Sequence, residues 1–176
     1  MVKRIALVGA SSTGKTTVYE LLKNKLLPQF SGQRSPLKIW SAASSSGQEP
    51  YSIAMSVLEY QQSKPGAFPG GVQIVGTDIS STMLEHCKYA HYDSLALARG
   101  LSAERKRLFF ENGDNGMLKV KDNVKKLVSF RPLNLLNSYS LMGRFDIVFC
   151  RNVLIYFAPE ISRGALDSVY VLPPAK

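Results

Sequence analysis

The chain has 176 residues, 45% hydrophobic and 20% charged. That suits one domain burying about 70% of its unfolded surface and excludes intrinsic disorder, collagen and a disulfide-stapled miniprotein. Its 22 Lys and Arg against 13 Asp and Glu leave a formal charge of +9, which favours an anionic ligand or acidic partner.

The apolar runs 5–8 and 153–157 fall far short of the roughly 20 residues that cross a bilayer. Residues 9–15 interrupt the basic-then-apolar start too early for a secretory signal. A cytoplasmic protein without direct membrane insertion is expected.

In chain order, residues 3–9 carry a buried-strand pattern, and 16–27 follow with Val18, Leu21, Leu22 and Leu26 at helical spacing. Residues 28–36, bounded by Pro28 and Pro36, predict a loop. Residues 37–43 form the next strand. Pro50 suits the first turn of a helix that runs to Ser63 with Ile53, Ala54, Val57 and Leu58 on one face. Residues 64–71 form a second loop, 72–77 a strand, and Ser80 or Ser81 caps a helix over 83–89.

The rhythm then changes. Residues 101–110 read as a helix capped by Ser102, and Asn112-Gly-Asp-Asn-Gly116 is a dense turn signal before the alternating segment 117–120. Residues 128–135 and 145–149 return to strands, the latter an unbroken apolar run of the kind covered on both faces. Residues 168–172 add a short strand. The alternation predicts an α/β fold, a Rossmann-like doubly wound, mostly parallel sheet with a small antiparallel β insertion at 99–130.

Cys87 falls on a helix and Cys150 ends an apolar strand; neither has metal-ligand spacing, and no metal site is expected. Arg105-Lys106-Arg107 with Lys119, Lys121, Lys125 and Lys126 reads as a solvated basic face. No aromatic-rich strand pattern accompanies it, so no nucleic-acid partner is expected.

Two ligand signals stand in the chain. The first, Gly9-Ala-Ser-Ser-Thr-Gly14-Lys15-Thr16, matches GxxxxGK[ST] between a strand and a helix. Backbone N–H groups there can cradle phosphates, Lys15 can reach the terminal ones and Thr16 can hold Mg²⁺. The segment resembles the start of a P-loop nucleotide kinase or ATPase, which implies ATP with Mg as an alternative ligand. No apolar strand ends in the aspartate such enzymes use for the metal, because Asp146 begins the 145–150 run and Arg151-Asn152 follows it. Phosphate-loop geometry is expected; competent hydrolysis is not.

The second signal has four parts: Leu37-Lys-Ile-Trp-Ser-Ala-Ala-Ser-Ser-Ser-Gly47-Gln-Glu-Pro-Tyr51; Ile74-Val-Gly-Thr-Asp78-Ile-Ser; Phe130-Arg-Pro-Leu-Asn134-Leu-Leu; and Phe145-Asp-Ile-Val-Phe-Cys-Arg-Asn152-Val-Leu-Ile-Tyr156-Phe. In this order and spacing, over about residues 19–161, the set resembles the chemotaxis-receptor glutamate O-methyltransferases, the CheR family. The resemblance implies S-adenosylmethionine as cofactor, S-adenosylhomocysteine as product, and transfer of a methyl group to receptor glutamates. The residues suit that chemistry. A small-residue turn, with Ser44 and Gly47, lets backbone approach a cofactor, and an acid at a strand end, Asp78, suits paired ribose hydroxyls. A glutamate nucleophile is already ionised at neutral pH, so alignment and dehydration are what such catalysis needs.

Carried over position by position, the resemblance sets Glu49 at the amino-acid end of the cofactor and Asp78 on the ribose. Asn134 and Leu135 frame the adenine. Asn152, Val153 and Tyr156 line the methyl-transfer pocket, with Asn152 and Tyr156 as the catalytic pair and Tyr156 nearest the incoming glutamate. Simpler readings stand beside these. Glu49 also suits a helix first turn, Asn134 a turn, and Tyr156 plain core. By the same resemblance, the insertion would contact acidic chemoreceptor helices.

Both ends depart from the family pattern. Residues 1–18 carry the phosphate-loop segment where an Asn-Glu-Thr-x-Phe-Phe-Arg type segment is expected. Residues 162–176 resemble the terminal strand of P-loop kinase-like proteins. The resulting expectation is an engineered chimera forming one α/β domain over 1–176, with a natural truncated or mis-spliced product as the alternative origin and a designed scaffold without activity as the non-enzyme reading. Its strands would run 3-2-1-4, with 5–8 fifth beside 145–149 and 169–172 sixth, all parallel. Weakened cofactor binding and weak or absent activity are expected from the replaced ends.

Overall fold

The computed structural model describes residues 5–9, 15–98, 101–134, 144–150 and 168–172. In chain order its elements are β1 (Ile5–Gly9), α1 (Lys15–Leu21), α2 (Leu27–Phe30), β2 (Leu37–Ser41), α3 (Gln48–Ser63), β3 (Val72–Asp78), α4 (Ser81–Tyr89) and β4 (His91–Tyr92). Then come α5 (Ser94–Ala98), α6 (Ala103–Phe109), β5 (Phe110–Asn112), β6 (Leu118–Val120), α7 (Asp122–Lys125), β7 (Val128–Pro132), β8 (Ile147–Cys150) and β9 (Ser168–Leu172). A π-helical segment, Leu22–Leu26, joins α1 to α2.

Six strands pair in the order β7-β3-β2-β8-β1-β9, and every pairing is parallel. This is the expected 3-2-1-4 order with two further strands. β1 lies between β8 and β9, with Ile5 opposite Ile147 on one side and Ser168 on the other. Leu37, Ile39, Ile74, Ile147 and Phe149 are buried, as apolar runs covered on both faces require. Against them α3 buries Ile53, Ala54, Met55 and Val57. Each such aliphatic side chain contributes about 1.5–3 kcal/mol when fully removed from water.

The loop expected from residue 28 starts later, because the helical run continues through Pro28 to Phe30. Leu27 N–H bonds to the carbonyl of Leu22, five residues back. That wider turn relieves the clash a proline ring would make with the carbonyl four residues before it. It also turns Leu22, Leu26 and Leu27 inward together, all with no exposed surface.

The strand expected over 145–149 is displaced to Ile147–Cys150. Asp146 instead clamps the start of β2: Lys38 N–H donates to its Oδ2 at 2.9 Å, and its own N–H donates to the Lys38 carbonyl at 2.8 Å. The smaller sheet, β4-β6-β5, is antiparallel. Its strand β4 comes from before residue 99, where the insertion was expected to begin. Ser80 and Ser102 cap α4 and α6 as expected, accepting from Met83 N–H and Arg105 N–H. Among the described residues no helix is long and apolar enough to cross a membrane.

Candidate functional site

The carboxyl ends of β2, β3 and β7 share one edge of the sheet. Strand order reverses between β2 and β8, and open α/β sheets bind ligands at such an edge. After β2 the chain enters a loop in which Ala43 (φ 53°), Ser45 (φ 52°) and Gly47 (φ 86°) are left-handed. Each such non-glycine residue costs about 1–3 kcal/mol and persists only where its surroundings hold it.

Four side chains hold this loop. The Ser44 hydroxyl is buried and lies 3.1 Å from the carbonyls of both Ser41 and Thr77, while Ser44 N–H donates to Thr77 at 2.8 Å. The Cys87 thiol donates to the Ser45 carbonyl at 3.0 Å, and the Tyr92 hydroxyl to the Ser46 carbonyl at 2.7 Å. Asp78 closes the set. Its Oδ2 accepts Ser45 N–H at 2.9 Å and its Oδ1 accepts Ser80 N–H at 2.9 Å.

Electrostatics follow from burial. The Cys87 thiol is pushed up to about 11, by burial first and by the nearby Asp78 carboxylate second, so it is a neutral donor at pH 7. Burial likewise raises the phenols of Tyr51 and Tyr92 well above their ordinary value. Glu49 lies in the first turn of α3, where the helix dipole favours an acid, and its Oε1 accepts the Ser41 hydroxyl at 2.8 Å.

A cleft of about 170 Å³ opens at this edge, lined by Ala43, Asp78, Ile79, Leu133 and Asn134. Complete ligand pockets run roughly 300–1,000 Å³, so this space suits one ring-sized part of a ligand. Asp78 uses two of a carboxylate's roughly four lone-pair positions on backbone N–H groups. The other positions can accept from the two hydroxyls of a vicinal diol, so this acceptor fits the ribose of a nucleoside.

The model for the CheR methyltransferase, SAM binding domain, matches residues 14–170. The chain belongs to the CheR methyltransferase family. The "Chemotaxis protein methyltransferase" of Vibrio parahaemolyticus serotype O3:K6 (strain RIMD 2210633) is 58% identical over 172 residues, covering 94% of this chain and 62% of that protein. The "Chemotaxis protein methyltransferase Cher2" of Pseudomonas putida (strain KT2440) is 52% identical over 159 residues, covering 88% of this chain and 57% of its own length. This CheR chain thus spans about three-fifths of the curated relatives it matches. A chain from the crystal structure of DszA carbon methyltransferase shares 19% identity over 76% of this chain and 27% of its own, with a TM-score of 0.37; the fold rests on the strand order above.

Of the residues singled out in the CheR pattern, Asp78 and Asn134 share the cleft. Glu49 sits at the neighbouring mouth of α3, tied to the end of β2. Ser44 faces into its own loop and acts by fixing it. At Gly47 the missing Cβ is explained by protein neighbours: it would lie 2.9 Å from Cys87 Sγ and 3.2 Å from Tyr92 Oη. Gly9 ends β1 opposite Leu172, and Lys15 and Thr16 open α1. Gly14, Leu135, Asn152, Val153 and Tyr156 lie outside the described residues.

The basic cluster divides. Arg105 is drawn inward onto Glu59 and Ser56, whereas Lys106, Arg107 and Lys126 are exposed. Sequence reasoning missed Ala43, Ile79 and Leu133 as cleft residues. Ile79 had a usable signal, an apolar residue directly after the strand-end acid, and it is 71% exposed.

Proposed function

We propose that this chain is the core of an S-adenosylmethionine-dependent protein-glutamate O-methyltransferase acting in the cytoplasm on acidic chemoreceptor helices. The observation that carries the reading is Asp78: a strand-end carboxylate, oriented by two backbone N–H groups, on a cleft shared with Asn134. Asp78 would bind the ribose hydroxyls, Glu49 the amino-acid end, and Asn134 with Leu135 the adenine. Asn152, Val153 and Tyr156 would enclose the methyl-transfer pocket. When bound, the cofactor would supply a sulfonium-activated methyl group to a glutamate carboxylate oxygen, with the neutral thioether S-adenosylhomocysteine leaving and no metal needed. The protein's share is alignment and exclusion of water. The charge of +9 and the exposed Lys106, Arg107 and Lys126 suit an acidic helical substrate.

Calorimetric titration with S-adenosylhomocysteine tests the reading. Binding is expected, and it is expected to be lost in Asp78→Ala. Absence of binding in a folded wild-type chain would overturn it.

A second reading has one observation in its favour. β1 is an interior parallel strand whose carboxyl end lies at the same sheet edge, with α1 opening at Lys15, the strand-to-helix order a phosphate loop needs. Under it, Mg²⁺-ATP binds through Gly9, Gly14, Lys15 and Thr16 and is lost in Lys15→Ala. A chimeric origin belongs to this reading. The family match reaches residues 14 and 170, into both end segments.

A further inference from the structure

We propose that Tyr92 is a positioning residue for the cofactor loop, and that through its hydroxyl the small antiparallel sheet and the cofactor site are energetically coupled. This rests on the methyltransferase reading above. Tyr92 belongs to β4 and is paired with Leu118 of β6. Its ring is 4% exposed and stands edge-on to His86, with centroids 5.8 Å apart. Its hydroxyl reaches out of the small sheet and donates to the Ser46 carbonyl at 2.7 Å.

Ser46 sits between two left-handed residues, Ser45 and Gly47. The N–H of Ser45 is one of the two groups that aim the Asp78 carboxylate. The connection is therefore short: β4, the Tyr92 hydroxyl, the Ser46 carbonyl, one peptide link to Ser45, and the Ser45 N–H on Asp78 at 2.9 Å. A loop with three left-handed residues relaxes where its tertiary bonds are removed. The Cys87 thiol on the Ser45 carbonyl is a weak donor and cannot replace a phenol. Loss of the Tyr92 hydroxyl loosens the loop at Ser46, and with it the Ser45 N–H, one of the two donors that orient Asp78.

Tyr51 supplies a matched control. It is 2% exposed, and its hydroxyl also donates to a backbone carbonyl, that of Cys87, at 2.8 Å. It makes the same kind of buried bond but touches the loop only at one remove, through the backbone of Cys87, whose thiol is the weaker donor to the Ser45 carbonyl. A merely structural role predicts equal consequences for the two tyrosines; a positioning role does not.

The experiment compares the full wild-type chain, Tyr92→Phe and Tyr51→Phe by calorimetric titration with S-adenosylhomocysteine and by amide hydrogen exchange. Tyr92→Phe is expected to raise the Kd about 3–10-fold, the range that one buried hydrogen bond supports. It is also expected to speed exchange in the peptide covering residues 42–47. Tyr51→Phe is expected to lower the unfolding midpoint while changing Kd and loop exchange much less than Tyr92→Phe does. Because coupling is reciprocal, S-adenosylhomocysteine should slow exchange in β4 of the wild type and much less so in Tyr92→Phe.

Wild-type affinity in Tyr92→Phe, equal weakening by Tyr51→Phe, or identical ligand protection of β4 in wild type and Tyr92→Phe overturns the proposal. If the wild type itself binds no S-adenosylhomocysteine, the methyltransferase reading falls, and with it the coupling to a cofactor. Loop exchange then still decides whether Tyr92 positions the loop, and unchanged exchange in Tyr92→Phe refutes that too.

Discussion

Gly47→Ala separates the two reasons for a glycine at the start of α3. The backbone there has φ 86°, a left-handed conformation that costs an L-residue about 1–2 kcal/mol. A Cβ would also lie 2.9 Å from Cys87 Sγ and 3.2 Å from Tyr92 Oη, and such overpacking costs about 1–3 kcal/mol. The two effects together predict a loss of about 2–5 kcal/mol, or roughly 4–20 °C in Tm for a chain of this size.

Gly66→Ala isolates the backbone part, since φ there is 77° and none of the described residues lies within 4 Å of the added atom. It should lose only about 1–2 kcal/mol. Urea unfolding followed by far-ultraviolet circular dichroism measures both. The decisive comparison is a double-variant cycle with Cys87→Ala, which removes the nearest clashing atom. Gly47→Ala should then cost about 1 kcal/mol less than additivity predicts. Equal losses for Gly47→Ala and Gly66→Ala, or strict additivity in the cycle, would refute the steric account.

Three further outcomes follow from the same structure. Arg105, its side chain 13% exposed, donates to Glu59 at 2.7 Å and Ser56 at 3.0 Å. Arg105→Ala should cost about 1–3 kcal/mol in urea unfolding, and Arg105→Lys should recover less than half, because one ammonium cannot reproduce the guanidinium fork. Among the described residues the buried Tyr60 hydroxyl has no hydrogen-bond partner, so Tyr60→Phe should raise stability by about 1 kcal/mol; a loss would show that the hydroxyl is satisfied. Burial raises the Cys87 thiol from 9.0 to about 11. The folded state therefore holds this proton more tightly than the unfolded state, and the associated stability is full below pH 9 and lost as pH rises toward 11. The urea midpoint should fall over that window in wild type and more gently in Cys87→Ala. Alkylation at pH 8, mapped by mass spectrometry, should leave Cys87 unmodified in the folded chain.

The parallel sheet was legible because its strands are written as apolar runs, and their order came from recognising which runs recur together. Less was legible where the controlling feature was not a residue type. Pro28 signals a helix stop, yet a π-helical turn accommodates it, and nothing in residues 22–26 announces that turn. β4 has two residues, too few for alternation to register. The helix before it ends on Ala90 at φ 55°, a position where glycine or asparagine would have marked the stop. The link between Arg105 and Glu59 joins residues far apart in sequence, so the basic cluster read as a uniform solvated face although one member is turned inward.

The candidate site shows the same division. Asp78 was legible as a carboxylate at the end of an apolar strand, and it reaches the cleft while also holding the backbone of Ser45 and Ser80. Gly47 was legible as a glycine but for an incomplete reason: its missing side chain makes room for Cys87 and Tyr92, which in turn hold the carbonyls of Ser45 and Ser46. A strand-end acid reads from its neighbours in sequence, whereas the groups that shape a backbone loop read only from their neighbours in space. Tyr92, in an element that periodicity could not detect, has the shorter of the two bonds to those carbonyls. Residues that line a cleft can therefore be legible in a sequence while those that hold the neighbouring loop in shape are not.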